Sequence, residues 1–355
     1  MATITSSTPL VTTNPARHPR SIMRRIESVW GFVFIMPWII GFLLFTGFPM
    51  VASLYLSFTD YKITDNQPAN WIGLTNYRQM LSLEFKTLSS TDQKSESVLT
   101  TGYSELLRVN TLVIGASDPL FWKSIKVTLL YAVLSLPLSL FAALGLALLM
   151  NLKLPGIMFY RTIIYLPSVI PAVASAIVLQ QILNRDIGWL NLLLSKFGIT
   201  GPDWINDERY IMPALVLITL WGVGQAMVIY LAGLQGVPSE LYEAAKVDGA
   251  NGFVRLRRIT LPLISPVILY NLVIGLIGTF QYFTTAYVLT QGLGTPNYST
   301  YFYNMYLFKR AFAFTDMGYA SAMAWVLVVI VTIITAVVFT TSGNWVFYAG
   351  SRKSS

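Results

Sequence analysis

Six stretches of the chain run without a charged residue for long enough to cross a bilayer as a helix, which takes about 20 mostly apolar residues. The charge-free windows are Trp30 to Thr59, Val127 to Leu152, Thr162 to Asn184, Tyr210 to Ser239, Ile259 to Phe308 and Met317 to Ser351. The fifth is too long for one helix. Its second half, Thr290 to Tyr306, is rich in Gly, Asn, Thr and Tyr, so a span from Pro262 to Thr290 and then an aqueous loop are predicted. The pattern predicts an all-α membrane protein with six transmembrane helices, at about 30–58, 122–150, 159–182, 210–235, 262–290 and 318–347. A disordered basic tail (1–29) precedes them. A long outer loop (59–121) separates the first span from a core domain (122–350), and an inner loop (236–261) lies before the fifth span.

Composition agrees: 54% of residues are apolar and 11% charged. Charge sets the orientation, because Lys and Arg concentrate in short cytosolic loops. With both termini cytosolic, the inner segments carry Arg17, Arg20, Arg24, Arg25, Lys153, Arg161, Lys246, Arg255, Arg257, Arg258, Arg352 and Lys353 against Glu27, Glu240, Glu243 and Asp248. The outer segments are balanced, so the net charge of +8 belongs to the inner face. It reports topology and contact with anionic lipid, not nucleic acid. With no cysteine, disulfides and thiolate metal sites are excluded, and no metal site is expected. The single histidine, His18, lies in a Ser/Thr/Pro-rich head without the apolar region of a cleavable signal.

Pro37 and Pro49 in the first span, and Pro167 and Pro171 in the third, predict bent helices. Small residues such as Ala143, Gly145 and Ala147 predict close helix approach in the second. Trp30, Trp122, Trp189 and Trp345 fall near span ends, as interfacial anchors do. In the outer loop, Leu88 to Thr101 reads as mobile, and Glu105 to Gly115 as apolar enough to pack back on the domain.

The inner loop has the features of a short helix, a turn and a second segment. Ser239 is placed to cap a helix whose first turns hold Glu240 and Glu243, and Gly249 to end it in a left-handed conformation. Ala244 and Ala245 are good helix formers whose small side chains admit another surface. Nine residues after Gly249 come Ile259, Thr260, Leu261 and Pro262. Glu243, Ala244, Ala245, Asp248, Gly249, Ile259, Leu261 and Pro262 at this spacing resemble the "EAA" loop of importer permeases in the ABC transporter superfamily. The resemblance covers nearly everything after residue 30 and is closest to the first permease subunit of maltose- and glycerol-phosphate-type sugar importers. It extends to Leu54 to Tyr61, Trp71 to Tyr77, Tyr287 to Gly292 and Met317 to Trp325. The insertion between Phe85 and Ser117 departs from the compact members.

The resemblance implies a type I importer permease (MetI-like) fold in the cytoplasmic membrane of a bacterium or archaeon. It also implies a second homologous permease, two cytosolic ATPases that bind ATP and Mg, and an extracytoplasmic solute-binding protein. The EAA-like helix would fit a cleft on an ATPase. The chain itself has no Gly-x4-Gly-Lys-Ser/Thr loop, and neither bound cofactor nor catalysis is expected of it.

For the solute path, hydroxyl-rich sugars call for amide and hydroxyl partners beside aromatic rings. Trp221, Gly222 and Gln225 share a face at one-turn spacing in the fourth span, and Thr279, Gln281 and Tyr282 lie in the fifth. Trp221, Gly222, Gln225 and Thr279 stand near the positions that form the pocket in maltose-type relatives. The predicted membrane centres hold no ionisable residue, which favours a neutral solute and disfavours a proton- or sodium-driven carrier. Glycerol phosphate or another small polar solute stays open, since a partner could supply the cation. An ATP-independent secondary carrier is the reading from a different class.

Overall fold

The computed structural model describes residues 22–65, 68–90 and 93–347. His18 and most of the predicted disordered tail lie outside them. The chain forms two compact units, Met1–Ser53 and Leu54–Ser355.

In the first, helix α1 (Ile22–Phe42) passes through the π-helical turn Leu43–Gly47 into α2 (Phe48–Leu56), whose last residues belong to the second unit. Helix therefore begins within the stretch read as tail, because no Gly or Pro interrupts residues 22–30. The widened turn has a local cause: Pro49 has no N–H to return to the carbonyl of Phe45.

Beyond the end of α2 the second unit has a short helix, α3 (Thr75–Leu81), and then a three-stranded antiparallel sheet. Its strands β1 (Leu83–Thr87), β2 (Ser104–Val109) and β3 (Leu112–Ala116) lie in the order β1-β3-β2. The all-α expectation is thus corrected for the outer insertion. The β2–β3 hairpin turns through Asn110 and Thr111, with Asn110 left-handed (φ 54°), as tight hairpin turns require. Nor does the stretch read as mobile hang free. Thr100 donates its N–H (2.9 Å) and hydroxyl (2.6 Å) to Glu84, Ser95 donates to Glu105, and Arg108 reaches the carbonyl of Gln93 at 3.1 Å.

The rest is helical: α4 (Pro119–Met150), α5 (Ile157–Tyr165), α6 (Ala172–Ile182), α7 (Trp189–Lys196), α8 (Glu208–Ile218) and α9 (Gly224–Gln235). Then come α10 (Ser239–Val247), α11 (Gly252–Arg255), the single turn α12 (Leu261–Leu263), α13 (Ser265–Phe280), α14 (Thr284–Thr290), α15 (Tyr303–Phe308) and α16 (Met317–Ser342). Among the described residues four helices are long and apolar enough to cross a membrane: Glu27–Leu56, Pro119–Met150, Ser265–Thr290 and Met317–Ser342. Two bent pairs make up to six, Ile157–Val169 with Ala172–Ile182 (101°) and Glu208–Gly222 with Gly224–Gln235 (49°). The sharper corner falls at Pro171, where the sequence places a breaker.

Helix α4 lies against α9 and α13. Ala143 and Ala147, both fully buried, let α4 approach Met227 and Tyr230 of α9 closely. At the start of α9, a Cβ on Gly224 would stand 2.5 Å from the carbonyl oxygen of Ile164. Trp30, Trp189 and Trp345 are exposed, the last two near helix ends, while Trp122, in the first turn of α4, is partly buried and packs edge-on against Phe121.

Candidate functional site

Two features answer the two sites read from the sequence: a projecting loop between α9 and α13, and a cavity between α4, α9 and α13.

The loop begins after Pro238, whose fixed φ (−58°) and extended ψ (131°) turn the chain into α10. Ser239 is the first helical residue and makes no capping bond, a correction to its predicted role. The other end is as expected. Gly249 is left-handed (φ 75°), its N–H reaches the carbonyl of Lys246 at 3.0 Å, and that of Ala250 reaches Ala245 at 2.8 Å. This pair of bonds closes a Schellman motif. Asn251 then caps α11 through the N–H of Val254 at 2.9 Å. The chain continues as the π-helical segment Leu256–Thr260, widened ahead of Pro262, which cannot donate to Arg258.

One face of α10 is free. Glu240, Glu243, Ala244 and Val247, at helical spacing, are exposed, Val247 at 89%, while Tyr242 and Ala245 turn inward. The Tyr242 hydroxyl lies 2.9 Å from Thr260 Oγ1, tying the projecting helix to the base of α13. The eight loop residues therefore separate. Glu243, Ala244, Asp248 and Gly249 are on the projecting part, whereas Ala245, Ile259, Leu261 and Pro262 are half-buried at its base.

The cavity encloses about 420 Å³ and is lined by Gly222, Gln225, Thr279 and Tyr282 among the predicted residues. Trp221 and Gln281 line other cavities, Trp221 with Trp204 and Leu179, Gln281 with Phe283 and Asn304. The 3-10 turn Thr219–Gly222 and the 49° bend destroy the one-turn spacing that would have put Trp221 beside Gln225. Past the end of α13 at Phe280 the chain leaves the helix, and the adjacent residues Gln281 and Tyr282 line different cavities. Sequence reasoning missed Tyr131, Ser135, Ser139 and Asn271, which also line this cavity. The signal was available: Tyr131, Ser135 and Ser139 recur every four residues on one stripe of a helix that is otherwise apolar from Leu129 to Met150.

Every lining side chain is uncharged. Tyr131 and Tyr282 pack with ring centroids 4.4 Å apart, and Ser135 Oγ and Tyr282 Oη are buried with no hydrogen-bond partner among the described residues. Buried hydroxyls without partners are costly.

The chain is similar to known proteins. Residues 124–352 match the family described as binding-protein-dependent transport system inner membrane component. The chain is 40% identical over 331 residues to the "Probable ABC transporter permease protein YesP" of Bacillus subtilis, covering 93% of this chain and 95% of that one. It is 30% identical to the lactose transport system permease protein LacF of Rhizobium radiobacter, covering 90% and 96%. A bacterial ABC transporter involved in import of the acidic polysaccharide alginate has the same fold, with a TM-score of 0.67 at 24% identity over 91% of this chain and 98% of that chain. A multi-pass membrane protein with a projecting loop, an uncharged cavity and these relatives belongs to the family of permease subunits of binding-protein-dependent ABC importers.

Proposed function

We propose that this permease carries a sugar or oligosaccharide, delivered by the extracytoplasmic binding protein, past Gln225, Thr279 and Tyr282. One observation supports the substrate class above the rest: the cavity offers amide and hydroxyl groups beside two closely packed tyrosine rings and no charge. The lactose specificity in the name of a relative points the same way. In this reading each bent helix pair is one span, giving six, with both termini and α10 cytosolic and the membrane that of a bacterial or archaeal cell. A second permease completes the path. Two ATPases hold and hydrolyse ATP with Mg, and the exposed face of α10 seats in one of them.

The test is uptake by the complete complex in proteoliposomes, with labelled neutral oligosaccharides, glycerol phosphate and amino acids compared. Carbohydrate uptake that needs both ATP and the binding protein is expected. Downhill uptake without ATP, or transport of glycerol phosphate alone, would overturn the proposal.

A further inference from the structure

A second cavity, of about 580 Å³, lies between α4 and α13, on the part of α13 nearer the projecting loop. Phe141 and Leu144 of α4 and Ile268 and Leu272 of α13 line its walls. Trp345 and Arg257 also line it, and Arg257 is its single charged residue. Arg257 is exposed and makes no ion pair or hydrogen bond among the described residues. Its neighbours Arg255 and Arg258 add to the positive charge, and no acidic residue lies between Gly249 and Asp316.

The dimensions select an occupant. From Pro262, which lines the cavity at the level of Arg257's segment, to Leu272 the helix rises about 15 Å. Half of a bilayer's hydrocarbon thickness is also about 15 Å. The groove is therefore one leaflet deep, apolar along its length and cationic at one end, with an indole ring suited to the headgroup level. A guanidinium at the end of an apolar groove, with further arginines beside it, suits a phosphodiester of net negative charge better than a zwitterionic headgroup, whose own cation would meet like charge.

We infer that this groove binds one anionic glycerophospholipid, its phosphate on Arg257 and an acyl chain along Phe141, Leu144 and Leu272. The leaflet rests on the cytosolic orientation proposed above; the binding chemistry does not. Arg257 lies three residues before Thr260, the anchor of Tyr242, so a bound phosphate steadies the base on which the projecting helix stands.

Binding can be read without transport. The intact complex, delipidated in detergent, is titrated with phosphatidylglycerol or phosphatidylcholine of equal chain length, and bound lipid is counted by native mass spectrometry. One phosphatidylglycerol per permease is expected, with Arg257→Gln weakening its binding about fivefold and Arg257→Lys keeping most of it. Photoreactive phosphatidylglycerol on the wild-type complex, which needs no variant, should label residues 141–144 and 268–272. Equal binding by Arg257→Gln, no preference between the lipids, or labelling elsewhere would overturn the inference. Cross-linking of Phe141→Cys to the partner permease in native membranes would do so as well, since protein would then fill the groove.

Discussion

Asp118, buried, and Arg310, half-buried, form an ion pair at 3.1 Å that joins the N-terminus of α4 to the segment that leads into α16. Asp118 does three things at once. It caps α4 through the N–H of Phe121 (3.0 Å), accepts the hydroxyls of Tyr306 and Tyr319 (2.5 Å each) and takes the guanidinium. Arg310 donates to Tyr306 as well, lies over the Tyr319 ring at 4.3 Å, and approaches Asp316, the cap of α16, at 3.8 Å. Burial pushes the Tyr306 phenol above its ordinary range, and the neighbouring carboxylate adds to the shift, so the phenol remains a donor.

Arg310→Leu therefore leaves a buried carboxylate without its cation, and a loss of about 3–5 kcal/mol is expected. Arg310→Lys should recover only part, because an ammonium cannot reproduce the fork that meets Asp118 and Tyr306 together. Thermal unfolding of the purified complex measures both.

Gly249→Val places a β-branched residue at φ 75°, a conformation that costs a non-glycine residue about 1–2 kcal/mol. Insertion and permease assembly should persist, while ATP-driven uptake falls by an order of magnitude or more. Uptake and ATP hydrolysis measured on the same vesicles reveal the uncoupling; unchanged values of both would remove Gly249 from the contact.

Tyr242→Phe removes the bond between the projecting helix and Thr260 with little change of shape. About 1 kcal/mol of local stability should go with it, read as faster amide exchange across residues 240–247.

Gln225→Ala should weaken uptake of the transported sugar, whereas Gln281→Ala, in a different cavity, should leave its apparent affinity within about twofold of wild type. Half-saturation values for the two variants decide whether the line drawn by the cavities is real.

Hydrogen bonds from the Thr100 hydroxyl and N–H, with Lys86 nearby, hold the Glu84 carboxyl below the usual glutamate range. A lowered folded-state value means that this contribution to stability is complete above the ordinary glutamate pKa and is lost as pH falls through the folded value. Acidification from neutrality to below about pH 4 should loosen the 93–100 segment over the sheet, and Glu84→Gln should blunt the effect. Hydrogen exchange at Thr100 as a function of pH is the measurement.

Much of the bundle was legible because hydrophobic length and proline position are local signals. The windows between charges predict spans at about 122–150 and 318–347, which overlap the helices Pro119–Met150 and Met317–Ser342, and Pro171 announces its corner. The sheet was not foreseen because its polar residues, Glu84, Thr100 and Glu105, read as a solvated loop until they are seen to bond one another. The clamp at Asp118 was hidden for a different reason: its partners lie 188 to 201 residues away. In the cavity, helical spacing gave Gln225 and Thr279 but misplaced Trp221, since a change from 3.6 to 3 residues per turn leaves no mark in composition.

The 101° corner at Pro171 also bears on biogenesis. Its two arms are about 20 Å and 17 Å long, so neither alone crosses a hydrocarbon core of about 30 Å. Backbone at such a corner cannot be left facing acyl chains. Leu166 and Val169 beside it are uncovered in the single chain. A surface that covers this corner should therefore hold the chain more firmly in the bilayer than the single chain holds itself.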